Sequence, residues 1–126
     1  MARKLRWRRQ PASGGCAAAK AYLALLLPDA EAQRVVARLK SATTTRHKPK
    51  DIERASGIPL LPADDPEVQA EMKKSRKGKS LAPVLLVRGA LRDARSMVIA
   101  DGYHRICASY YVNQDAEVPC RIADLP

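Results

Sequence analysis

Residues 97–109, which read MVIADGYHRICAS, constrain the fold of this chain more than any other segment. An apolar run leads into Asp101 and Gly102, and a helix-forming run follows, so we predict a strand, a tight turn and a helix beginning near Tyr103. Such a turn directs unpaired backbone N–H groups and the positive end of the helix dipole at one point. This arrangement is suited to an anion, and we predict a phosphate- or nucleotide-binding site.

The side chains at this turn support the same interpretation. Gly102 allows close approach of backbone to a ligand. His104 and Arg105 add donors in the first helical turn, where the dipole disfavours cations unless an anion compensates. Each residue also has an ordinary alternative: Asp101 as an N-cap, Gly102 as a turn glycine, His104 as a packed histidine and Arg105 as the partner of a surface carboxylate.

The remaining pattern predicts a single α+β (α/β) domain with a small mixed sheet, preceded by an N-terminal helical hairpin. We divide the chain into a basic flexible arm (1–14), a helical extension and linker (15–50) and the main domain (51–126). Continuous apolar character in two strands indicates that both faces of the sheet are covered. In the first part of the chain we predict helices at 16–27 and 29–42, a linker at 43–50 and the short helix PKDIERAS ending at Gly57. A strand at 58–61 and a helix that is capped by Asp65 and begins with Pro66 follow. The last elements are strands at 83–88 and 96–100, joined as a hairpin through Gly89, a helix at 103–113 and a strand at 118–122.

Positive charge is concentrated at the start of the chain. The net charge is +10, and residues 1–50 carry all of that excess, with 12 Lys and Arg against two Asp and Glu. Within the arm, Trp7 lies among Arg6, Arg8 and Arg9, a pattern that predicts base stacking and phosphate contact with nucleic acid, although a solvated tail is the simpler alternative. The later run KKSRKGKS is interpreted as a solvated helix end, with a second phosphate-binding patch as the alternative.

The cysteines and the apolar segments bear on location. Cys16, Cys107 and Cys120 show no CxxC spacing, so the sequence predicts neither a disulfide framework nor a metal site. No apolar stretch approaches the ~20 residues of a membrane span. We therefore expect a cytoplasmic protein without membrane contact, and the sequence leaves the oligomeric state open, with a homodimer as one alternative.

The succession LAPVLLVRG, MVIADGYHRICASYY and DAEVPCRIA resembles the ParB and sulfiredoxin superfamily over residues 58–123. The similarity is strongest at DGYHR, which corresponds to the family's phosphate-binding boxes. The resemblance implies a small stand-alone member in which Gly102, His104 and Arg105, with Tyr103 between them, contact the phosphates of a nucleotide such as CTP or ATP. Tyr103 stands where sulfiredoxin has its nucleophilic cysteine, which argues against sulfinic acid reduction.

Three functions follow from these observations. The first is a ParB-like protein that binds a nucleotide or nucleic-acid phosphate. The second is a metal-dependent nuclease or phosphotransferase, with Asp101 and His104 as catalytic residues, Mg²⁺ as cofactor and Asp64 and Asp65 as secondary carboxylates. The third is an adaptor with an inert site, whose basic helical hairpin meets an acidic protein.

Overall fold

A computed structural model describes residues 5–126 of the chain, with only the backbone of Ser13. The fold is α+β, as predicted, with five α-helices and a four-stranded mixed sheet. In chain order the elements are α1 (Ser13–Leu23), α2 (Asp29–Ser41), β1 (Thr45–His47), α3 (Pro49–Ser56), α4 (Pro66–Arg76), β2 (Val84–Val87), β3 (Val98–Asp101), α5 (Tyr103–Asn113) and β4 (Val118–Ala123), with a short 3₁₀ turn at Leu91–Asp93 between β2 and β3.

The sheet has the order β1-β4-β2-β3. Strands β2 and β3 form the predicted antiparallel hairpin, with Leu86 opposite Ile99. Strand β4 runs parallel to β2, with Val84 opposite Cys120, and antiparallel to β1 on its other side. The C-terminal strand therefore lies inside the sheet and joins β1 to the hairpin.

Helices cover both faces of the sheet, as the apolar strands predict. Leu85 and Val87 pack with α1 and α2 on one face, while Val84 and Leu86 pack with α3 and α5 on the other. This alternation follows from the two-residue period of a strand. Helices α1 and α2 were predicted as an extension, but they form one layer of a three-layer fold.

Two predictions about strands are wrong. Residues 58–61 form no strand; they contain Pro59, which has no N–H for a ladder, and the hydroxyls of Tyr103 and Tyr111 donate to the carbonyls of Pro59 and Leu61. Residues 45–47, predicted as linker, form edge strand β1. Tertiary pairing with β4 creates this strand despite its polar sequence.

The predicted basic arm is attached to the domain over the part that the structure describes. Trp7 pairs in parallel with Leu81; the N–H of Arg8 donates to the Leu81 carbonyl at 2.6 Å, and the N–H of Leu81 donates to the Arg6 carbonyl at 2.7 Å. Residues 1–4 of the predicted arm lie outside the described residues. No helix among residues 5–126 combines the length and the apolar character needed to cross a membrane.

Candidate anion-binding site

The turn between β3 and α5 has the predicted form. Gly102 is the N-cap of α5, with a φ of 109° in the left-handed region that favours glycine. A Cβ added there would lie 2.6 Å from Cγ1 of Val84, closer than packed atoms allow. Both the backbone conformation and the contact with β2 therefore require glycine. Asp101 is not the N-cap, so that alternative is wrong.

Asp101 instead forms an ion pair one helical turn away. Its Oδ2 accepts a hydrogen bond of 2.8 Å from Nη2 of Arg105, and only 19% and 14% of the two side chains are exposed. The first turn of α1 packs against the same carboxylate, because a Cβ on Gly15 would lie 2.8 Å from Oδ2. The N-terminal turn of α1 and the guanidinium of Arg105 therefore both lie against the Asp101 carboxylate.

The other two predicted contacts lie on neighbouring surfaces. Nε2 of His104 is 2.7 Å from a carboxylate oxygen of Glu67 on α4, in an exposed pair. The Tyr103 hydroxyl donates to Pro59, and burial is the main reason why the pKa of this phenol is raised. Arg105, at the end of the DGYHR segment, lines a cavity. Phosphate contact by Gly102, Tyr103 and His104 stays a prediction.

A cavity of about 520 Å³ borders Arg105, and we call it the Arg105 cavity. Four of its lining residues are cationic and one, Glu71, is acidic. Its volume falls within the range of small-molecule sites in proteins. The lining residues are Arg8, Glu71, Lys74, Lys79, Ser80, Leu81, Ala82 and Arg105.

The end of α4 places two lysines at this cavity. Gly78, with a φ of 81°, reverses the chain after the helix, so that the N–H of Lys79 donates to the Lys74 carbonyl and the N–H of Gly78 donates to the Ser75 carbonyl. This is a Schellman motif. Lys74 and Lys79 consequently border one cavity, and the alternative interpretation of KKSRKGKS as a phosphate-binding patch stays a prediction.

The N-terminal segment supplies the fourth cation. Pairing of Trp7 with Leu81 holds Arg8 beside residues 80–82, and the N–H of Arg6 donates to the Ser75 hydroxyl at 3.2 Å. Trp7 is half-buried and packs against the core cluster between the sheet and α5, so less of its ring is free for base stacking. Nucleic-acid contact by Arg6, Trp7, Arg8 and Arg9 stays a prediction.

Two polar atoms in the lining residues lack hydrogen-bond partners among residues 5–126. Nε of Arg105 is a buried donor, and Oε2 of Glu71 is a buried acceptor, while Oε1 of Glu71 lies 3.3 Å from Nζ of Lys74. Buried polar groups in proteins are nearly always satisfied. A ligand with both an anionic group and a hydrogen-bond donor would supply the missing hydrogen-bond partners of both atoms.

Asp101 and His104, the predicted catalytic pair, have separate partners: Arg105 for the first and Glu67 for the second. Within residues 5–126, no three His, Cys, Asp or Glu side chains cluster as metal ligands. Asp65 is the N-cap of α4, as predicted, and its carboxylate accepts from the N–H groups of Glu67 and Val68. Comparison with family models, curated proteins and solved structures finds no match to this chain.

Sequence reasoning missed Glu71, and it missed that Arg8, Lys74, Lys79 and Arg105 share one cavity. These residues come from three distant segments, and the pairing of residue 7 with residue 81 brings the first of them to the others. The sequence did carry one signal for Glu71, because a Glu three residues before a Lys lies on the same face of a helix.

Proposed function

We propose that this protein binds a nucleotide, with the phosphates in the Arg105 cavity. The observation that carries the proposal is the composition of the cavity: Arg8, Lys74, Lys79 and Arg105 converge on a space that holds a single carboxylate. Clustered cations repel one another, and an anionic ligand relieves that repulsion. A phosphate ester supplies several acceptor oxygens for such a cluster.

Arg105 is assigned the central phosphate contact. Its Nη2 donates to Asp101, while its Nε is buried and has no partner among the described residues, so a phosphate oxygen placed against it would supply the missing acceptor. Lys74, Lys79 and Arg8 are more exposed: the two lysines act as point charges on the remaining oxygens, and Arg8 donates from its planar guanidinium.

Glu71 favours a nucleotide over inorganic phosphate. A carboxylate oxygen repels phosphate, but it accepts a hydrogen bond from a sugar hydroxyl or a base amino group. The unpartnered Oε2 of Glu71 is assigned that role. The resemblance of DGYHR to the phosphate-binding boxes of the ParB and sulfiredoxin superfamily supports the same ligand class and suggests CTP or ATP.

Isothermal titration of the full chain with CTP, ATP and inorganic triphosphate at low salt tests the proposal. Arg105→Ala is expected to weaken nucleotide binding about 10- to 100-fold, the equivalent of one hydrogen bond to a charged group. Lys79→Ala is expected to weaken it less, because its charge is exposed. Arg92→Ala is the matched control: it removes the same charge from an exposed 3₁₀ turn away from the cavity.

Glu71→Ala separates nucleotide binding from simple anion binding. Loss of the acceptor should weaken the binding of CTP, and loss of the negative charge should strengthen the binding of inorganic triphosphate. The ratio of the CTP affinity to the triphosphate affinity should therefore fall. Absence of binding by all three ligands, or equal affinity of the Arg105→Ala and Arg92→Ala variants, would refute the proposal.

A further inference from the structure

Arg121 is a buried cation on the sheet, in a different place from the Arg105 cavity. It lies in β4 opposite Leu85 of β2, and only 6% of the residue is exposed. Nη1 donates to the Lys40 carbonyl at 2.5 Å, and Nη2 donates to Oε1 of Gln10 at 3.0 Å. Within residues 5–126 no carboxylate lies within ion-pairing distance of this guanidinium.

The charge of Arg121 is therefore balanced only in part. The carbonyl of Lys40 belongs to the C-terminal turn of α2, where the negative end of the dipole gives some compensation. Nε of Arg121 is buried and has no hydrogen-bond partner among the described residues. A buried guanidinium without an anion and with an unused N–H is costly, and a bound anion would remove both costs.

A cavity of about 470 Å³, the Arg121 cavity, borders this side chain. Its polar lining consists of Arg121, Lys20, Lys40 and Gln10, and none of its lining residues is acidic. Small and apolar residues, Cys16 and Val36 among them, form the rest of the wall. The cavity thus combines three cations with an apolar surface, and one of the cations, Lys20, also lies 3.9 Å from Oδ1 of Asp29 in an exposed pair.

We propose that the Arg121 cavity binds a small organic carboxylate. One carboxylate oxygen accepts from Nε of Arg121, and the other faces the ammonium groups of Lys20 and Lys40. The carbon body of the ligand packs against the apolar wall, where burial of apolar area adds affinity. This site is independent of the proposed nucleotide site, because the two cavities share no lining residue.

Titration of the full chain with octanoate and with neutral octanamide, followed by NMR shifts, tests this proposal. Octanoate is expected to bind and octanamide to bind at least tenfold more weakly, because only octanoate carries a negative charge for Arg121 and the two lysines. Lys20→Ala and Lys40→Ala should each weaken octanoate about fivefold, the upper range for an exposed ion pair. Lys73→Ala, which removes an exposed lysine from α4 outside both cavities, is the matched control.

Cys16 provides a second measurement that does not depend on replacing the buried arginine. It borders the cavity and is 8% exposed, whereas Cys107 and Cys120 are fully buried. Octanoate should slow the alkylation of Cys16 by iodoacetamide. The same protection is expected in the Arg105→Ala variant, because Arg105 does not line the Arg121 cavity. Equal binding of octanoate and octanamide, unchanged affinity in both lysine variants, or no protection of Cys16 would overturn the proposal.

Discussion

Nη2 of Arg105 lies 2.8 Å from Oδ2 of Asp101, and this ion pair links the first turn of α5 to the end of β3. The pair has two effects on the site. It holds the guanidinium of a residue that lines the Arg105 cavity, and it places a negative charge next to the proposed phosphate contact. Phosphate affinity therefore depends on two opposing effects of Asp101: it positions the guanidinium of Arg105, and its charge repels the phosphate.

Asp101→Asn should strengthen CTP binding about three- to tenfold, because the amide oxygen can still accept from Arg105 while the negative charge is lost. The variant should also lower the free energy of unfolding by about 1–3 kcal/mol, since the largely buried guanidinium of Arg105 loses its charged partner and keeps only a neutral acceptor. Calorimetric titration and urea denaturation measure the two effects. Weaker binding in a folded variant would contradict the repulsion argument, and loss of a nucleotide turnover present in the parent chain would identify Asp101 as a catalytic base.

Gly102→Ala should destabilise the fold by about 2–4 kcal/mol, from the left-handed backbone and from overlap with Val84. Gly14→Ala is the control, because a Cβ there meets nothing within 4 Å and the residue lies in α1. That substitution should be neutral or stabilising by up to ~1 kcal/mol. Urea midpoints of the two variants make the comparison. Equal midpoints would show that position 102 accepts a Cβ without strain or overlap with Val84.

Asp65→Ala should cost about 1 kcal/mol, because the carboxylate satisfies two N–H groups at the start of α4. Asp64→Ala, at the adjacent exposed residue, should change stability by less than about 0.5 kcal/mol. Thermal unfolding of both variants makes the comparison. If the two carboxylates bound a metal instead, both variants would lose stabilisation by added Mg²⁺, an outcome that the capping role does not produce.

The pair between Lys50 and Asp115, at 2.5 Å, predicts a pH dependence of stability. The hydrogen bond from Lys50 lowers the pKa of Asp115 below its ordinary 3.8, and the same bond raises the pKa of Lys50 above 10.5. The carboxylate therefore stabilises the fold above pH 3.8, and this contribution is lost as the pH falls through the lowered pKa. The lysine contribution is complete below pH 10.5 and is lost as the pH rises through the raised pKa.

Asp115→Asn removes this pair. The difference in urea midpoint between the parent chain and the variant should be small, because both side chains are exposed, and it should shrink in 1 M NaCl. It should disappear once the pH has fallen below the lowered pKa of Asp115. A difference that stayed constant from pH 2 to 7 would show that Asp115 acts through an uncharged contact.

The sequence was sufficient for elements whose signals are local. Pro49 and Gly57 bound α3, Asp65 and Pro66 begin α4, and the turn at Gly102 separates β3 from α5, all as predicted. Each boundary rests on a residue that fixes its own backbone angle or satisfies its own helix terminus. Such features need no knowledge of distant contacts.

Elements that depend on distant partners were not predictable. The polar segment β1 forms a strand because it pairs with the edge of β4. Residues 58–61 form no strand, because two of their carbonyls accept hydrogen bonds from tyrosines of α5. The candidate site follows the same rule. Arg105 was identified from its own turn, but Glu71 and the shared cavity depend on how three segments pack.

The interior position of β4 has a consequence for folding kinetics. Until residues 118–123 insert, β1 and the hairpin of β2 and β3 have no common neighbour, and each presents an unpaired edge. During synthesis, the pairings of β1 and of β2 with β4 must therefore wait until β4 has emerged from the ribosome. Long-range pairing of this kind slows folding, and the waiting edges are the places where intermolecular β-pairing would begin.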